Sequence, residues 1–503
     1  MSKAGGHQFE SGRPPDASTT IHGGRSAEVV APACQAGGRR FESGRLPPFA
    51  SEGRSAEVVA SWFPTLEEHR FESGRPSPAD LAHCLATLEA LRETAPDDPA
   101  RVAVERAAAH LTKTAKQKRR LARKQENRRV DRAASASSLR AAAYFTPALP
   151  APEAASVREL RNQRHCYVCK LPFRRLHAFY HALCPTCADR NFAARTLTAD
   201  LAGRRAIVTG GRIKIGYEIA VSLLRAGARV TVTTRFPRDA EQRYADLPPE
   251  LRARLTIEGL DFLDLRGVAA WIDREVARGE PLDILISNAA QTVRRPPAYY
   301  ARLAAAEAAP PPLEGRSTEL AEEALALLFP DRVDAEGKPV DLRHRNSWVL
   351  NAAEIEPAEV AEVHVVNAIV PFLIASRLRP LMTRSAFADR YIVNVSAMEG
   401  VFAYRNKQTR HPHTNMAKAA LNMFTRTSAP EFLTDGIYMN SVDTGWITQE
   451  NPHPMEERQK SRGFCPPLDI VDGAARVLAP VYRGVLGDRI AGGFFKDYEP
   501  APW

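Results

Sequence analysis

Three groups of residues in this 503-residue chain have types and spacings suited to chemistry. Cys166-Tyr-Val-Cys169 and Cys184-Pro-Thr-Cys187 are two Cys-x-x-Cys turns separated by fourteen residues. Each turn presents two sulfurs on one side, and two turns complete a tetrahedron about Zn2+, an ion with no geometric demand of its own. Four thiolates close the shell, so a zinc at Cys166, Cys169, Cys184 and Cys187 is expected to be structural, although His165, His177 and His181 could substitute as ligands. Redox pairs or free thiols would not require two knuckles. The second group, Thr209-Gly210-Gly211-Arg212-Ile213-Lys214-Ile215-Gly216, is a glycine-containing loop whose amides, with a helix N-terminus behind them, could hold a pyrophosphate. The third is Thr414 and Lys418, four residues apart and so on one face if they lie in a helix.

These residues need elements to position them. Arg205 to Gly210 reads as a short apolar strand, Gly211 to Gly216 as the loop, Tyr217 to Ala226 as a helix and Arg229 to Thr234 as a second strand. That is a β-loop-α-β unit. A third strand ends at Asp261-Phe262, a fourth runs Leu282 to Ile286, a helix spans Val360 to Leu378, and a further strand spans Tyr391 to Val395. In this order the motifs resemble the short-chain dehydrogenase/reductase family over about residues 200–503. The resemblance implies an α/β fold, a doubly wound parallel sheet of Rossmann type over 199–503, with an insertion at 291–348. It places the family's Thr-Gly-x-x-x-Gly-x-Gly on Thr209–Gly216, its adenine-contacting pair on Asp261 and Phe262, and its Asn-Asn-Ala-Gly turn on Ser287-Asn288-Ala289-Ala290. The segment covering the nicotinamide falls on Asn440 to Thr448, including Gly445, Ile447 and Thr448, with Thr444 replacing the usual Pro. Of the family tetrad, Asn367 matches the residue supporting a water relay, Ser396 the one binding the substrate oxygen, and Lys418 the one gripping ribose hydroxyls.

Two departures from that pattern matter. Lys214 occupies the middle glycine's place, as a basic residue does in the similar pteridine reductases, and Arg235 follows the second strand where NAD-preferring members carry an acid. Arg212, Lys214 and Arg235 could surround a 2′-phosphate, which arginine binds by paired charge-assisted bonds, so NADP is expected over NAD. Plain solvent exposure is the alternative for Lys214 and Arg235. The other departure is Thr414, standing where the family has its acid/base tyrosine. An aliphatic hydroxyl holds its proton far above the model tyrosine value of about 10, so Thr414 is no equivalent donor and could simply cap its helix. Tyr404, His411 and His413 lie in the stretch before it; His413 suits neutral pH but points about 100° from Thr414 on a helix. Two readings stay open: an NADP-dependent oxidoreductase acting on a carbonyl or alcohol, and an inactive dinucleotide-binding sensor or scaffold using the cysteine module and a basic arm for partner or RNA contact. The insertion, with Arg294, Arg295, Tyr299, Tyr300 and a helix over Glu319 to Leu328, is the expected substrate lid, or else a surface decoration or oligomer contact.

The rest of the chain bounds other roles. The first 200 residues hold 31 Lys+Arg against 21 Asp+Glu and so carry the whole net charge of +10, while residues 201–503 balance at 38 of each. Basic composition therefore argues nothing about nucleic acid at the nucleotide fold. Phe9-Glu-Ser-Gly-Arg13 recurs at Phe41 and Phe71 among Gly, Arg, Ser and Pro without a periodic apolar face, so residues 1–78 are expected to be disordered. The repeat is similar to an in-frame reading of a transfer RNA gene arm, under which 1–78 is not genuine coding sequence. Residues 79–145 read as a helical, basic arm with ten Lys or Arg between Lys113 and Arg132 and no aromatic residues for base stacking. Residues 146–158 read as a linker and 159–198 as the zinc module, with Phe173, Leu176, Phe179, Tyr180 and Leu183 as its small core. No window reaches the roughly 18 uninterrupted apolar residues of a bilayer span. The expectation is a cytoplasmic protein with a small-molecule substrate and no membrane contact, a homo-oligomer by family resemblance, touching nucleic acid only through the basic arm.

Overall fold

A computed structural model describes residues 76–145, 158–307, 327–334, 337–404 and 407–503. The repeats, the linker over 146–157 and residues 319–326 of the helix expected in the insertion lie outside the described residues. The chain divides into two compact units at Leu111. In the first, α1 (Pro78–Leu91) opens on a capping box in which the Asp80 amide donates to Ser77 Oγ at 3.1 Å and the Ser77 amide to Asp80 Oδ2 at 2.8 Å. This helix buries no residue. The long helix α2 spans Pro99–Ala136, and the expected helical stretch over 79–145 holds three helices, the third at Leu139–Phe145. The basic run Lys113–Arg132 lies on the exposed part of α2.

In the second unit, α3 (Leu139–Phe145) leads towards a hairpin of β1 (Glu159–His165) and β2 (Pro172–Arg175) followed by α4 (Pro185–Ala194). Then come β3 (Arg205–Thr209), α5 (Lys214–Arg225), β4 (Arg229–Thr234), α6 (Pro237–Tyr244), α7 (Pro249–Arg252), β5 (Leu255–Gly259), α8 (Leu265–Arg278) and β6 (Ile284–Ser287). The insertion carries α9 (Pro297–Glu307). Beyond it lie α10 (Pro357–His364), α11 (Val370–Thr383), β7 (Arg390–Ser396), α12 (Pro412–Leu433), β8 (Ile437–Asp443), α13 (His453–Ser461), α14 (Ile470–Val485), β9 (Phe494–Lys496) and β10 (Glu499–Ala501).

The sheet order is β10-β9-β8-β7-β6-β3-β4-β5, parallel except for the edge pair β9 and β10. The chain winds outward from β3 in both directions, so the fold is the doubly wound Rossmann type expected from the motifs. Every residue of β3 is buried, as a strand covered by helices on both faces must be. On one face Ile219, Leu223 and Leu224 of α5 and Val477 and Val481 of α14 pack on Val208 and Val230. On the other, Trp271 of α8 and Ile374 and Leu378 of α11 pack on Ile207, Leu285 and Ile392. The helix expected over 360–378 is longer, because α10 and α11 join through a single π turn at Val365–Ile369. By length and composition Pro357–Thr383 would match a bilayer span, and here it packs into the core.

Candidate functional site

Strand order reverses between β3 and β6, and at their carboxyl ends a crevice of about 380 Å³ opens. Gly210, Arg212, Lys214, Ile215 and Gly216 form one wall, and Arg235, Asp261, Phe262, Asn288, Ala289 and Thr448 complete the expected cofactor residues along it. Gly216 has no room for a side chain, since a Cβ would fall 2.1 Å from the Gly210 carbonyl oxygen and 2.5 Å from Asn288 Nδ2. Lys214 stands in the left-handed region at φ 55°, the conformation for which a glycine is the ordinary choice. A lysine there carries strain on the order of 1 kcal/mol. Thr209 shapes the wall from behind: its Oγ1 accepts from the Asn288 and Ala289 amides at 3.0 Å each, while Asn288 Nδ2 donates to the Gly210 carbonyl at 3.1 Å. Gly211 sits against Val232 and lies outside the lining.

Plain solvent exposure does not describe the basic residues. The Arg235 guanidinium lies 4.6 Å from the Tyr300 ring and 5.5 Å from Phe236, whose own ring stacks on Tyr300 at 5.8 Å. Arg212 pairs with Asp239 at 2.6 Å. Lys214 Nζ is 3.8 Å from Glu450, a carboxylate also 3.8 Å from Lys338 and 4.0 Å from Arg295. Burial alone would push the Glu450 carboxyl up, but Lys338, Lys214 and Arg295 hold it at about 2. Arg295 is nearly buried, and its Nε makes no hydrogen bond but lies 3.8 Å from Asp341 Oδ2.

The insertion, expected as a substrate lid or else a surface decoration or oligomer contact, borders the crevice in its described part. Arg295, Tyr299, Tyr300 and Lys338 line the crevice beside Arg235, on the flank that follows β4. The insertion seats there because Tyr300 finds Phe236, and because the Glu307 carboxylate accepts from the Arg238 and Asp239 amides at 3.0 Å each, at the positive end of α6. Lys338 and Glu450 escaped the sequence reading, since each comes from a separate loop without a motif.

The catalytic candidates lie outside the crevice lining; on α12, Thr414, Lys418 and Asn422 follow one another at four-residue intervals, all buried. Ser396 Oγ donates to Asn422 Oδ1 at 2.6 Å, and Lys418 Nζ donates to the Val395 carbonyl at 2.7 Å. Burial pushes the Lys418 ammonium down to about 8, against the opposing pull of Glu399. Thr414 does not cap the helix: the cap is His411, and the Thr414 hydroxyl has no partner. His411, at φ 41°, stacks on Trp348 with ring centroids 4.0 Å apart, and burial pushes it down to about 4. His413 is 2% exposed, neither ring nitrogen is hydrogen-bonded, and Nε2 lies 3.7 Å from Glu359 of α10. Burial would raise the Glu359 carboxyl, yet His413, Ser347 and the Arg294 amide bring it below the usual range. Tyr404 is 43% exposed on its loop.

Asn367, expected to support a water relay, uses its side chain to hold the start of the insertion. On the π turn, its Oδ1 accepts from the Gln291 amide at 2.7 Å and its Nδ2 donates to the Gln291 carbonyl at 2.8 Å. Of the segment expected over the nicotinamide, only Thr448 lines the crevice; Gly445 and Ile447 face the cysteine module instead, where Ile447 joins the module's core.

In that module the four sulfurs of Cys166, Cys169, Cys184 and Cys187 lie within 4.8 Å of one another, with Cys169 and Cys184 3.7 Å apart. Zinc–sulfur bonds of about 2.3 Å in a tetrahedron set sulfurs roughly 3.8 Å apart, so the set fits one zinc ion. The nearby histidines are engaged elsewhere: His177 Nδ1 accepts from the Phe179 amide at 3.0 Å, and His181 Nε2 meets the Cys465 carbonyl at 3.2 Å. Phe173, Leu176, Tyr180 and Leu183 form the expected core with Leu160, Ile447 and Leu468, and Phe179 packs at its edge. The end of α2 is fastened to the module by Asp131, which accepts from the Arg161 amide at 2.6 Å and the Asn162 amide at 3.1 Å.

Two family models match stretches of this chain. The short chain dehydrogenase family model matches residues 204–307, and the enoyl-(acyl carrier protein) reductase model matches residues 345–464. An uncharacterized protein of Acanthamoeba polyphaga mimivirus, R665, is 33% identical over 340 residues, covering 63% of this chain and 71% of that protein. A protein of Streptomyces lividans described as "Probable oxidoreductase" is 42% identical over 90 residues, 18% of this chain and 29% of that protein, so the chain spans under a third of its length. Among solved structures, the NADPH-bound carbonyl reductase of chicken fatty liver aligns at TM-score 0.39 and 18% identity, over 60% of this chain and 100% of that one. The Pseudomonas aeruginosa RhlG/NADP complex aligns at TM-score 0.40 and 22% identity, over 59% and 95%. With the doubly wound sheet, the glycine turn at the strand reversal and Ser396 and Lys418 in family order, this chain belongs to the short-chain dehydrogenase/reductase family of oxidoreductases.

Proposed function

We propose that this protein is an NADP-dependent oxidoreductase interconverting a carbonyl and an alcohol on a small molecule. The observation that carries the reading is the crevice at the strand reversal, lined by Arg212, Lys214, Arg235, Arg295 and Lys338. Five cations in one pocket suit a ligand with several phosphates, and Arg235, stacked on Tyr300, supplies a planar fork for a 2′-phosphate. The dinucleotide, when bound, supplies or accepts the hydride. Lys418 would bind ribose hydroxyls, exchanging its bond to the Val395 carbonyl, and Ser396 would turn its hydroxyl from Asn422 to the substrate oxygen. The proton donor is proposed to be His413, whose imidazole is buried with Nε2 3.7 Å from the Glu359 carboxylate. The unpartnered Thr414 hydroxyl would hold a water linking that ring to the substrate.

Titration with NADPH and NADH, then NADPH consumption over a panel of carbonyls, tests the reading. Turnover abolished by Lys418→Ala is expected. A second reading, a dinucleotide-holding protein without turnover, is favoured by threonine at position 414; binding without consumption, with turnover gained in Thr414→Tyr, would establish it. The cysteine geometry supports one structural zinc held by Cys166, Cys169, Cys184 and Cys187. Metal analysis should find about one zinc per chain, and a Cys166→Ser variant retaining full metal would refute the site. The exposed basic run of α2 supports contact with a polyanion, and a homo-oligomer is proposed from the family, to be checked by sedimentation.

A further inference from the structure

The cysteine module is built into the wall behind the nucleotide crevice. Tyr167, between the first two cysteines, accepts a hydrogen bond on its hydroxyl from the Trp446 amide at 2.8 Å. The neighbouring Gly445 is left-handed at φ 82°, and a Cβ there would fall 2.6 Å from Leu468 and 3.3 Å from Tyr167 Oη, so the segment and module meet backbone to side chain. Ile447 and Leu468 are buried in the module's own core. Ile215 of the glycine turn, which lines the crevice, packs against that core as well. Further back, Tyr180 donates to Asp472, and Arg195 bridges Asp469 at 2.7 Å and Asp472 at 2.8 Å, the cap and first turn of α14. Thr448, two residues from the Trp446 amide, reaches the crevice.

We propose that the metal-loaded module is part of the nucleotide site: Tyr167 is a positioning residue that fixes the Trp446 amide and through it Thr448, so zinc and dinucleotide bind cooperatively. The proposal rests on the zinc and dinucleotide readings above. Its physical basis is ordering. Without metal the first knuckle is held to the second by weaker ties, the Tyr167 amide donating to the Ala182 carbonyl at 2.9 Å and the Cys184 amide to Cys166 Sγ at 3.3 Å, so Tyr167 is less firmly fixed. A dinucleotide must then order the module together with segment 445–448, and its affinity falls by the cost of doing so. Linkage makes the effect mutual, so bound dinucleotide must tighten zinc by the same factor.

The test uses the full chain in three preparations: zinc-loaded, chelator-stripped and reloaded. Zinc content and NADPH dissociation constant are measured on each sample. The expected result is about tenfold weaker NADPH binding without zinc, restored on reloading, with zinc release slowed when NADPH is saturating. Tyr167→Phe should keep its zinc and its far-ultraviolet circular dichroism yet bind NADPH several-fold more weakly. This variant keeps the proposal falsifiable should stripping unfold the module. Equal NADPH affinity for wild type and Tyr167→Phe, or zinc release indifferent to NADPH, overturns the coupling. A wild type that retains no zinc sinks the metal reading, and one that is zinc-loaded but blind to NADPH sinks the nucleotide reading. Either result is visible before any variant is compared, and either removes this proposal too.

Discussion

Asn367 clasps Gln291 with both atoms of its amide, accepting from the backbone N–H at 2.7 Å and donating to the backbone C=O at 2.8 Å. The pair joins the π turn of the central helix to the first residue of the insertion. Asn367→Ala would leave both backbone groups of Gln291 without partners at a site where Asn367 itself is 1% exposed. A loss of about 2 kcal/mol in unfolding free energy is expected, with weaker NADPH binding because Gln291 and Arg295 both line the crevice. Urea denaturation and fluorescence titration check both; wild-type values in both would show that the clasp does nothing.

The buried Lys418, pushed down to about 8, should be only partly charged in the free protein at mildly alkaline pH. Ribose hydroxyls accept hydrogen bonds from the ammonium form, so NADPH affinity should decline as pH rises through about 8 and should show a plateau below it. Lys418→Met, uncharged throughout, should bind weakly and lose that pH dependence. A Lys418→Met profile with the same inflection would assign the titration to another group.

Arg235 should decide between the two pyridine nucleotides. A paired charge-assisted bond to phosphate is worth about 1.5–3 kcal/mol, roughly 10- to 100-fold in affinity. Arg235→Ala is expected to weaken NADPH by that range while leaving NADH within about twofold. Equal losses for both nucleotides would mean that the Tyr300 stacking, and not phosphate recognition, was removed.

Glu456 of α13 gives a stability prediction with a definite sign. Burial pushes its carboxyl up to about 7, assisted by Glu450 and opposed by Lys338 and Lys214. A carboxyl whose folded value lies above its unfolded one favours the native state at low pH, and that contribution is lost as pH rises through about 7. Glu456→Gln should therefore match wild type near pH 4 and exceed it at pH 8, by on the order of 2 kcal/mol. Thermal midpoints measured at both pH values decide it; a variant less stable at pH 8 would reverse the sign.

Much of the fold was legible because its signals are local. The strand at Arg229–Thr234, the glycine turn ahead of α5 and the two cysteine knuckles each lie within a few residues, where periodicity and steric need leave a visible mark. The role of Lys214 was half legible: its substitution for a glycine stood out, whereas its left-handed backbone and the facing Glu450 did not. Even the missing tyrosine was plain, because a motif with a fixed spacing shows its gaps as clearly as its matches.

Other features depend on which distant segments the sheet order brings together. Tyr167 and Trp446 are 279 residues apart, and no pattern near either announces that one holds the other. Glu450 meets cations from the glycine turn and from two places in the insertion, a grouping created only when β3 and β6 lie side by side. The seat of the insertion beside Arg235 follows from one aromatic stack and one helix end. Such contacts are set by packing between surfaces, whose complementarity is not written in the spacing of either strand of sequence alone, so residue types and intervals identified the chemistry available and tertiary packing decided which of it meets.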